Sequence, residues 1–392
     1  MDDCKIVLNT GLRGVKIAQT RISDVNGDAG RLIYRGYVIQ ELASRATFEE
    51  VAYLLLFEKL PSQSELSEFK SWLSREREIP SGVIEALKAC PSQAIPMDIL
   101  QAAISLLSNH DPEISHLSRN ASTRMAVRLI AKTATVVAAW NRIRKGQEPV
   151  TPRPDLDHAA NFLYMLKNEP PDPDISHFMD VCLILHAEHS FNASTFAARE
   201  VASTGAHIYA AVSAAVGSLS GPLHGGANAR VMEMLLAIGS LDAVESYVQT
   251  ELNAGRKIMG LGHAVYNVDD PRAFILAPMS KIMGEKAGDT RWYDISKRLE
   301  TAAKAAFNQR KGMDIVINVD FYSASLYYSM GIPIDFFTPV FAVSRIAGWA
   351  THVIEEQYAG ASAKPVLYRP ESEYIGDYCG PQVCSFIPVG QR

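Results

Sequence analysis

Three short stretches of this chain set histidines where acid–base or carbonyl chemistry is feasible. In LHAEHSFNAST, His186 and His189 stand three apart and would share a face if the segment is helical. In GPLHGGAN, Pro222 ends the preceding apolar run, and Gly225-Gly226 strip the flank of His224 so that a ligand or a backbone can approach the imidazole. In KIMGLGHAVYNVDDPRA, Gly260 and Gly262 free the backbone ahead of His263, and Asp270-Pro271 opens a turn or helix just before Arg272. Further on, NVDFYSAS places Asp320 beside Asn318 and among Val319, Phe321 and Tyr322. A carboxyl in apolar company has a raised pKa and can serve as a general base near neutrality. Arg345 in FAVSRIAGW and Arg369 in LYRPES join Arg272; three planar, permanently charged arginines in such settings suit a small dianionic substrate.

Each of these residues also has a structural reading. The pair His186 and His189 lacks a third metal ligand and the HExxH order, since Glu188 stands between the histidines and off their face. Hydrogen-bonded structural histidines would look the same. His224 could sit in a plain loop, with Asn228 capping a helix from Ala229, and Asp320 could itself be a helix cap. The glycines around His263 could offer N–H groups to a phosphate or adenine, but GLGH is not the GxGxxG fingerprint and no strand precedes it, which leaves a dinucleotide fold unsupported.

The elements that must position these residues are mostly helices. KIAQTRISDVNGDAGRLIYRGY alternates apolar and polar residues on both sides of Asn26-Gly27 and predicts a β-hairpin, the one substantial sheet. From Thr47 the period changes. Thr47 with Glu50, and Ser62 with Glu65, are capping-box pairs that open a helical hairpin interrupted at Pro61. Helical periodicity continues through MDILQAAISLLS, STRMAVRLIAKTATVVAAWNRIRKG, HAANFLYMLKN and ISHFMDVCLILHAEH. EPVTPRPDLD and EPPDPDIS read as loops between helices. Val201 to Ala229 has no charged residue, yet its serines, glycines and Pro222 dilute it too far for a membrane span, and a helix buried on all sides is expected. The Ala/Ser/Gly surface of Ala206 to Ser220 suits close helix contact, within the chain or across a dimer.

At 392 residues the chain exceeds a single compact core, so two domains, or one with an insertion, are expected. A net charge of −5 argues against nucleic acid as a partner. The five cysteines form no CxxC pair, and the acidic N-terminus lacks an apolar signal segment, so a cytoplasmic location without export is expected.

In this order, LHAEHSFNAST, GPLHGGAN, GLGHAVYNVDDPRA, NVDFYSAS, FAVSRIAGW and LYRPES resemble the successive motifs of the citrate synthase family, from GLRGVKIAQTRISDVNGDAG nearly to the end of the chain. The resemblance implies a mainly α fold. A large helical domain would comprise residues 1–226 with the hairpin and the returning segment 326–392, and a smaller helical domain, 227–325, would close over the active site. It implies a homodimer, with higher assembly open, and makes the Ala/Ser/Gly helix a dimer-contact candidate. The implied reaction is the condensation of acetyl-CoA with oxaloacetate, followed by hydrolysis to citrate and coenzyme A. His224 would hydrogen-bond the thioester carbonyl, Asp320 would remove a methyl proton, and His263 would polarise the ketone of oxaloacetate. His189, rather than His186, would bind oxaloacetate with Arg272, Arg345 and Arg369, the last reaching into the partner's site. No metal and no cofactor is implied, the thioester being a substrate.

Many family members read GHRVYK where this chain reads GHAVYN, so Ala264 and Asn267 replace basic side chains that commonly meet coenzyme A phosphates. The coenzyme A contacts are therefore placed at Arg256, Lys257, Ile258, Gly260, Gly262, Asn267 and Lys311. Alternatives are a 2-methylcitrate synthase using propionyl-CoA, a citryl-CoA lyase, and a non-enzymatic paralogue, the last disfavoured by the presence of His224, His263 and Asp320. Ten residues precede the GLRGVKIA motif, so an added NADH-sensing domain is not expected.

Overall fold

The computed structural model describes residues 10–12, 14–362, 364–376 and 387–391, and among these the chain is mainly helical. Cys4, Cys379 and Cys384 lie outside the described residues. The expected hairpin is present: β1 (Ser23–Asn26) and β2 (Arg31–Tyr34) pair antiparallel, Asn26 opposite Arg31, and a short β3 (Tyr37–Val38) adds to β2. Its turn is wider than an Asn-Gly dipeptide, taking in residues 27–30, because the Asn26 side chain accepts the Ala29 N–H at 2.9 Å and closes a longer loop.

Helix α1 (Ile39–Arg45) follows β3, and then come the two capped helices, α2 (Phe48–Phe57) and α3 (Gln63–Arg75). Both capping boxes form in full: the Glu50 carboxylate accepts the Thr47 N–H at 2.7 Å and the Glu65 carboxylate the Ser62 N–H at 2.8 Å. A cap of this kind stabilises its helix by about 1 kcal/mol. After α4 (Ser81–Lys88) and α5 (Pro96–Ser108), α6 (Arg119–Ile143) runs 25 residues. It is followed by α7 (His158–Lys167) and α8 (Pro173–His186).

Helix α8 ends at His186, so the helical run does not extend to His189 as its periodicity suggested; Ser190 adopts a left-handed φ of 51° in the turn that follows. The uncharged stretch is likewise broken, into the end of α9 (Ala193–Ser203), α10 (Ile208–Ser220) and the start of α11 (Ala227–Ile238). Gly205, at φ 83°, separates the first two. Nor is α10 buried on all sides: Ala210, Ala214, Gly217 and Ser218 form a half-exposed stripe, while Ile208, Val212, Ala215 and Leu219 are buried. Among the described residues no helix is long and apolar enough to cross a membrane.

The chain continues with α12 (Val244–Asn253), α13 (Pro271–Ala287), α14 (Arg291–Lys311), α15 (Asp320–Ser329) and α16 (Phe337–Gln357). Helices α11 to α15 pack chiefly on one another, whereas α16 returns to lie against α6, α8, α9 and α10. Trp140 of α6 and Trp349 of α16 are fully buried in this core. An indole removes roughly 200 Å² from water, about 5 kcal/mol at the usual coefficient, so α16 is strongly anchored along its length.

Candidate active site

Two connections far apart in sequence are stitched together to build the site. Leu261 and Ile317 form an antiparallel bridge. The Gly262 N–H donates to the Val316 carbonyl at 2.7 Å, and the Asn318 N–H to the Gly260 carbonyl at 3.0 Å. Gly260 permits this approach: at φ 77°, a Cβ there would lie 2.7 Å from the Phe321 ring and 2.9 Å from Val231. The same stitch holds the segment carrying His263 beside the start of α15, whose first residue is Asp320.

A cleft of about 730 Å³ collects the chemistry, and His189, His224, His263, Arg272, Asp320 and Arg345 all line it. They arrive from six different places: the turn after α8, the loop between α10 and α11, the segment ahead of α13, the first turn of α13, the start of α15 and the middle of α16. His186 does not join them. It is fully buried, its Nδ1 donating to the Cys182 carbonyl at 2.8 Å, because it occupies the last turn of α8 while His189 lies beyond the helix end. Arg369 is exposed on the segment after α16 and does not line the cleft. Of the residues proposed for coenzyme A, only Gly262 does. Ile258 is buried in the core, Arg256 pairs with Glu251 at 2.6 Å, Lys311 lies over the Phe307 ring, and the Asn267 amide donates to Asp28 at 2.6 Å; Lys257 is exposed.

Backbone donors fix the two central imidazoles as neutral tautomers. The Ser194 N–H, in the first turn of α9, donates to His224 Nε2 at 3.1 Å, and the Ser194 hydroxyl lies 2.8 Å from the same nitrogen. A nitrogen that accepts cannot carry a proton, so Nδ1 holds it. Burial, then Arg345, lowers the His224 pKa to about 4. At His263 the roles of the nitrogens are reversed. The N–H groups of Val265 and Tyr266 both donate to Nδ1 at 2.9 Å, which leaves the proton on Nε2. Burial and the neighbouring Arg272 bring this histidine to about 4 as well. Near neutral pH both rings are therefore uncharged hydrogen-bond donors.

Asp320 presents its carboxylate to the cleft. Its carboxylate accepts no hydrogen bond among the described residues, and burial pushes its pKa up to about 6 against the opposing pull of Arg272 and Arg345. Asp320 therefore does not act as a helix cap. Nor does Asn228 cap from outside a helix: α11 starts at Ala227 and Asn228 lies inside its first turn. Arg272 is held by a two-pronged pair with Asp270, 2.9 and 2.7 Å. Arg345 donates Nε to the His186 carbonyl at 2.5 Å and stacks on Phe341.

Several partners escape a reading by motif. Trp349 donates its indole N–H to the Ser194 hydroxyl at 3.1 Å and so steadies the group that touches His224. Glu188, fully buried, accepts from His352 Nε2 at 3.0 Å and from Ser23 of β1 at 2.8 Å. Burial alone would raise its pKa, but His352 and Arg345 hold it below the usual carboxylate range. Arg345, Trp349 and His352 share one face of α16 by their spacing, a pattern that sequence periodicity could have shown. The reach of Ser23 to Glu188 leaves no local trace.

A mainly helical scaffold that brings to one cleft a carboxylate with no hydrogen bond among the described residues, two neutral imidazole donors and two buried arginines has the groups that carbonyl carbon-acid chemistry requires: a candidate base, candidate oxyanion donors and cations suited to an anionic second substrate. The family model described as citrate synthase, C-terminal domain, matches residues 11–371. The chain is 43% identical over 391 residues to the citrate synthase of Haloferax volcanii, covering 98% of this chain and 99% of that one. It is 37% identical over 393 residues to the 2-methylcitrate synthase of Shewanella oneidensis, covering 100% of each. The ternary complex of carboxymethyl coenzyme A and oxaloacetate with the citrate synthase of Thermoplasma acidophilum matches its fold with a TM-score of 0.90, at 29% identity over 98% of this chain and 100% of that one. The chain belongs to the citrate synthase family.

Proposed function

We propose that this enzyme condenses acetyl-CoA with oxaloacetate and hydrolyses the resulting citryl thioester to citrate and coenzyme A. The observation that carries the proposal is the convergence on one cleft of the Asp320 carboxylate, without a hydrogen bond among the described residues, and the Nδ1–H of neutral His224. Asp320 takes a methyl proton while the electron pair moves onto the thioester oxygen, where His224 donates a hydrogen bond. The enol carbon then attacks the oxaloacetate ketone, whose oxygen is polarised by the Nε2–H of His263. Arg272 and Arg345 hold the carboxylates of oxaloacetate, with His189 beside them. Water finally cleaves the thioester and releases the coenzyme A thiol. No step calls on a metal or a cofactor.

Within this proposal residues 227–325 form the smaller domain, with α15 running on to Ser329, and its closure over the cleft keeps water out during condensation. The half-exposed small-residue stripe of α10 supports a homodimer, and the exposed Arg369 is free to enter the partner's cleft. Arg256, Lys257 and Lys311 are the cations proposed for the coenzyme A phosphates; Lys257→Ala should raise the KM for acetyl-CoA. Free thiols at Cys90 and Cys182 fit a cytoplasmic location.

The full-length 2-methylcitrate synthase relative favours propionyl-CoA as the second reading. One methyl group changes selectivity by only about 1–3 kcal/mol in an apolar pocket. The test is kcat/KM for the two thioesters with oxaloacetate, followed by thiol release. A clear preference for acetyl-CoA supports the proposal, a preference for propionyl-CoA moves the assignment to the second reading, and no thiol release with either overturns both.

A further inference from the structure

The tip of the N-terminal hairpin touches the active-site loop, and three of the contacts centre on Gly27 and Asp28. The Asn267 N–H donates to the Gly27 carbonyl at 3.0 Å, and the Asn267 side-chain amide donates to the Asp28 carboxylate at 2.6 Å. The third point is steric. A Cβ on Gly27 would fall 2.0 Å from the Val265 carbonyl oxygen, so only glycine admits the loop at that distance. No left-handed backbone explains this glycine, since its φ is not positive; close approach does.

The loop needs such a support. Between Ala264 and Val268, the other hydrogen bonds among the described residues are those of the Val265 and Tyr266 N–H groups to His263 Nδ1 and of the Tyr266 hydroxyl with His189 at 3.3 Å. The first two set the ring orientation and tautomer of His263, and the backbone that supplies them is tied to the rest of the chain through Gly27. The hairpin in turn is tied at both ends of β1. Asn26 closes its turn onto Ala29, and Ser23 at the far end of β1 is fixed to Glu188.

We infer that Gly27 and Asp28 are positioning residues for His263: the hairpin tip clasps Asn267 and seats the 264–268 loop, so that the Nε2–H of His263 faces the ketone of oxaloacetate. The clasp also accounts for Asn267, which stands where a basic residue is common in the family; here its amide serves the hairpin. The inference rests on the reading of His263 as the ketone-polarising group.

The experiment reads two quantities on the full-length protein: steady-state kinetics, and the carbonyl stretch of the oxaloacetate ketone in the bound complex, which reports its polarisation. Asp28→Ala and Asn267→Ala should each lower kcat/KM for oxaloacetate by about threefold to tenfold, as small misplacement of a reacting group does. The double variant should be no worse than either single one, as expected for two partners of one contact. In all three the carbonyl stretch should move back toward its value in water, while Asp28→Asn, which keeps an acceptor oxygen, restores most of the loss. Gly27→Ala should have the largest effect; should it fail to fold, the exposed Asp28 and Asn267 variants still decide the matter. A wild-type carbonyl stretch in Asp28→Ala and Asn267→Ala, or additive losses in the double variant, overturns the clasp. His263→Ala separates the two levels: if it too leaves the stretch unchanged, the role of His263 is what fails.

Discussion

At Asp320, the burial that makes the carboxylate basic also works against the fold. Its pKa is raised to about 6, so the ionised form costs stability as pH rises from the unfolded value through that point. Asp320→Asn should therefore stabilise the free protein at pH 7 by about 1–3 kcal/mol in chemical denaturation, a gain that shrinks as pH falls below about 6 and vanishes by about pH 3, below both pKa values. The same change should cut kcat by roughly 10²- to 10⁴-fold. In the wild type kcat/KM should fall as pH drops through about 6, since the base is then protonated while His224 and His263 stay neutral until about 4. Ser194 acts one contact further out. Ser194→Ala keeps the backbone donor to His224 but loses the hydroxyl, and kcat should drop by about tenfold, the equivalent of one hydrogen bond, with the KM for oxaloacetate little changed.

At the scale of elements, the decisive contact is the stitch between residues 260–262 and 316–318. It is short, one antiparallel bridge made of two backbone hydrogen bonds with the Asn318 side-chain amide donating to the Gly262 carbonyl at 3.2 Å, and it depends on the missing side chain at Gly260. Gly260→Ala places a methyl group against Phe321 and Val231 at a positive φ, and should destabilise the protein by about 2–4 kcal/mol, read as a lower denaturation midpoint. Activity should be lost as well, because the stitch sets His263 beside Asp320.

The whole molecule adds what one chain leaves open, since Arg369 lies on an exposed segment and outside the cleft of its own chain. If it serves the partner's site, Asp320→Asn and Arg369→Ala subunits, each inactive alone, should complement each other on mixing. A mixed dimer then has one site with both changes and one with neither, so random exchange restores about a quarter of wild-type activity. Mixing without recovery of activity would place Arg369 outside the partner's site.

Much of this protein is legible locally. Thr47 with Glu50 and Ser62 with Glu65 announce their helices because a cap is satisfied within four residues, and the glycines and prolines flanking His224 and His263 mark shaped backbone for the same reason. Family resemblance then separated His189 from His186, and the end of α8 gives the physical cause. The tertiary structure alone decided the tautomers of His224 and His263, the four-residue turn of the hairpin, the half-exposed face of α10, the buried link from Ser23 through Glu188 to His352, and the meeting of Gly27 with Val265. The His224 tautomer, the buried link and the meeting of Gly27 with Val265 depend on partners tens to hundreds of residues away, whereas the His263 tautomer and the hairpin turn use donors only two or three residues off, in a backbone conformation that the sequence does not announce. Local propensity reaches only a few residues along a chain, and which distant groups meet is fixed when the whole chain packs.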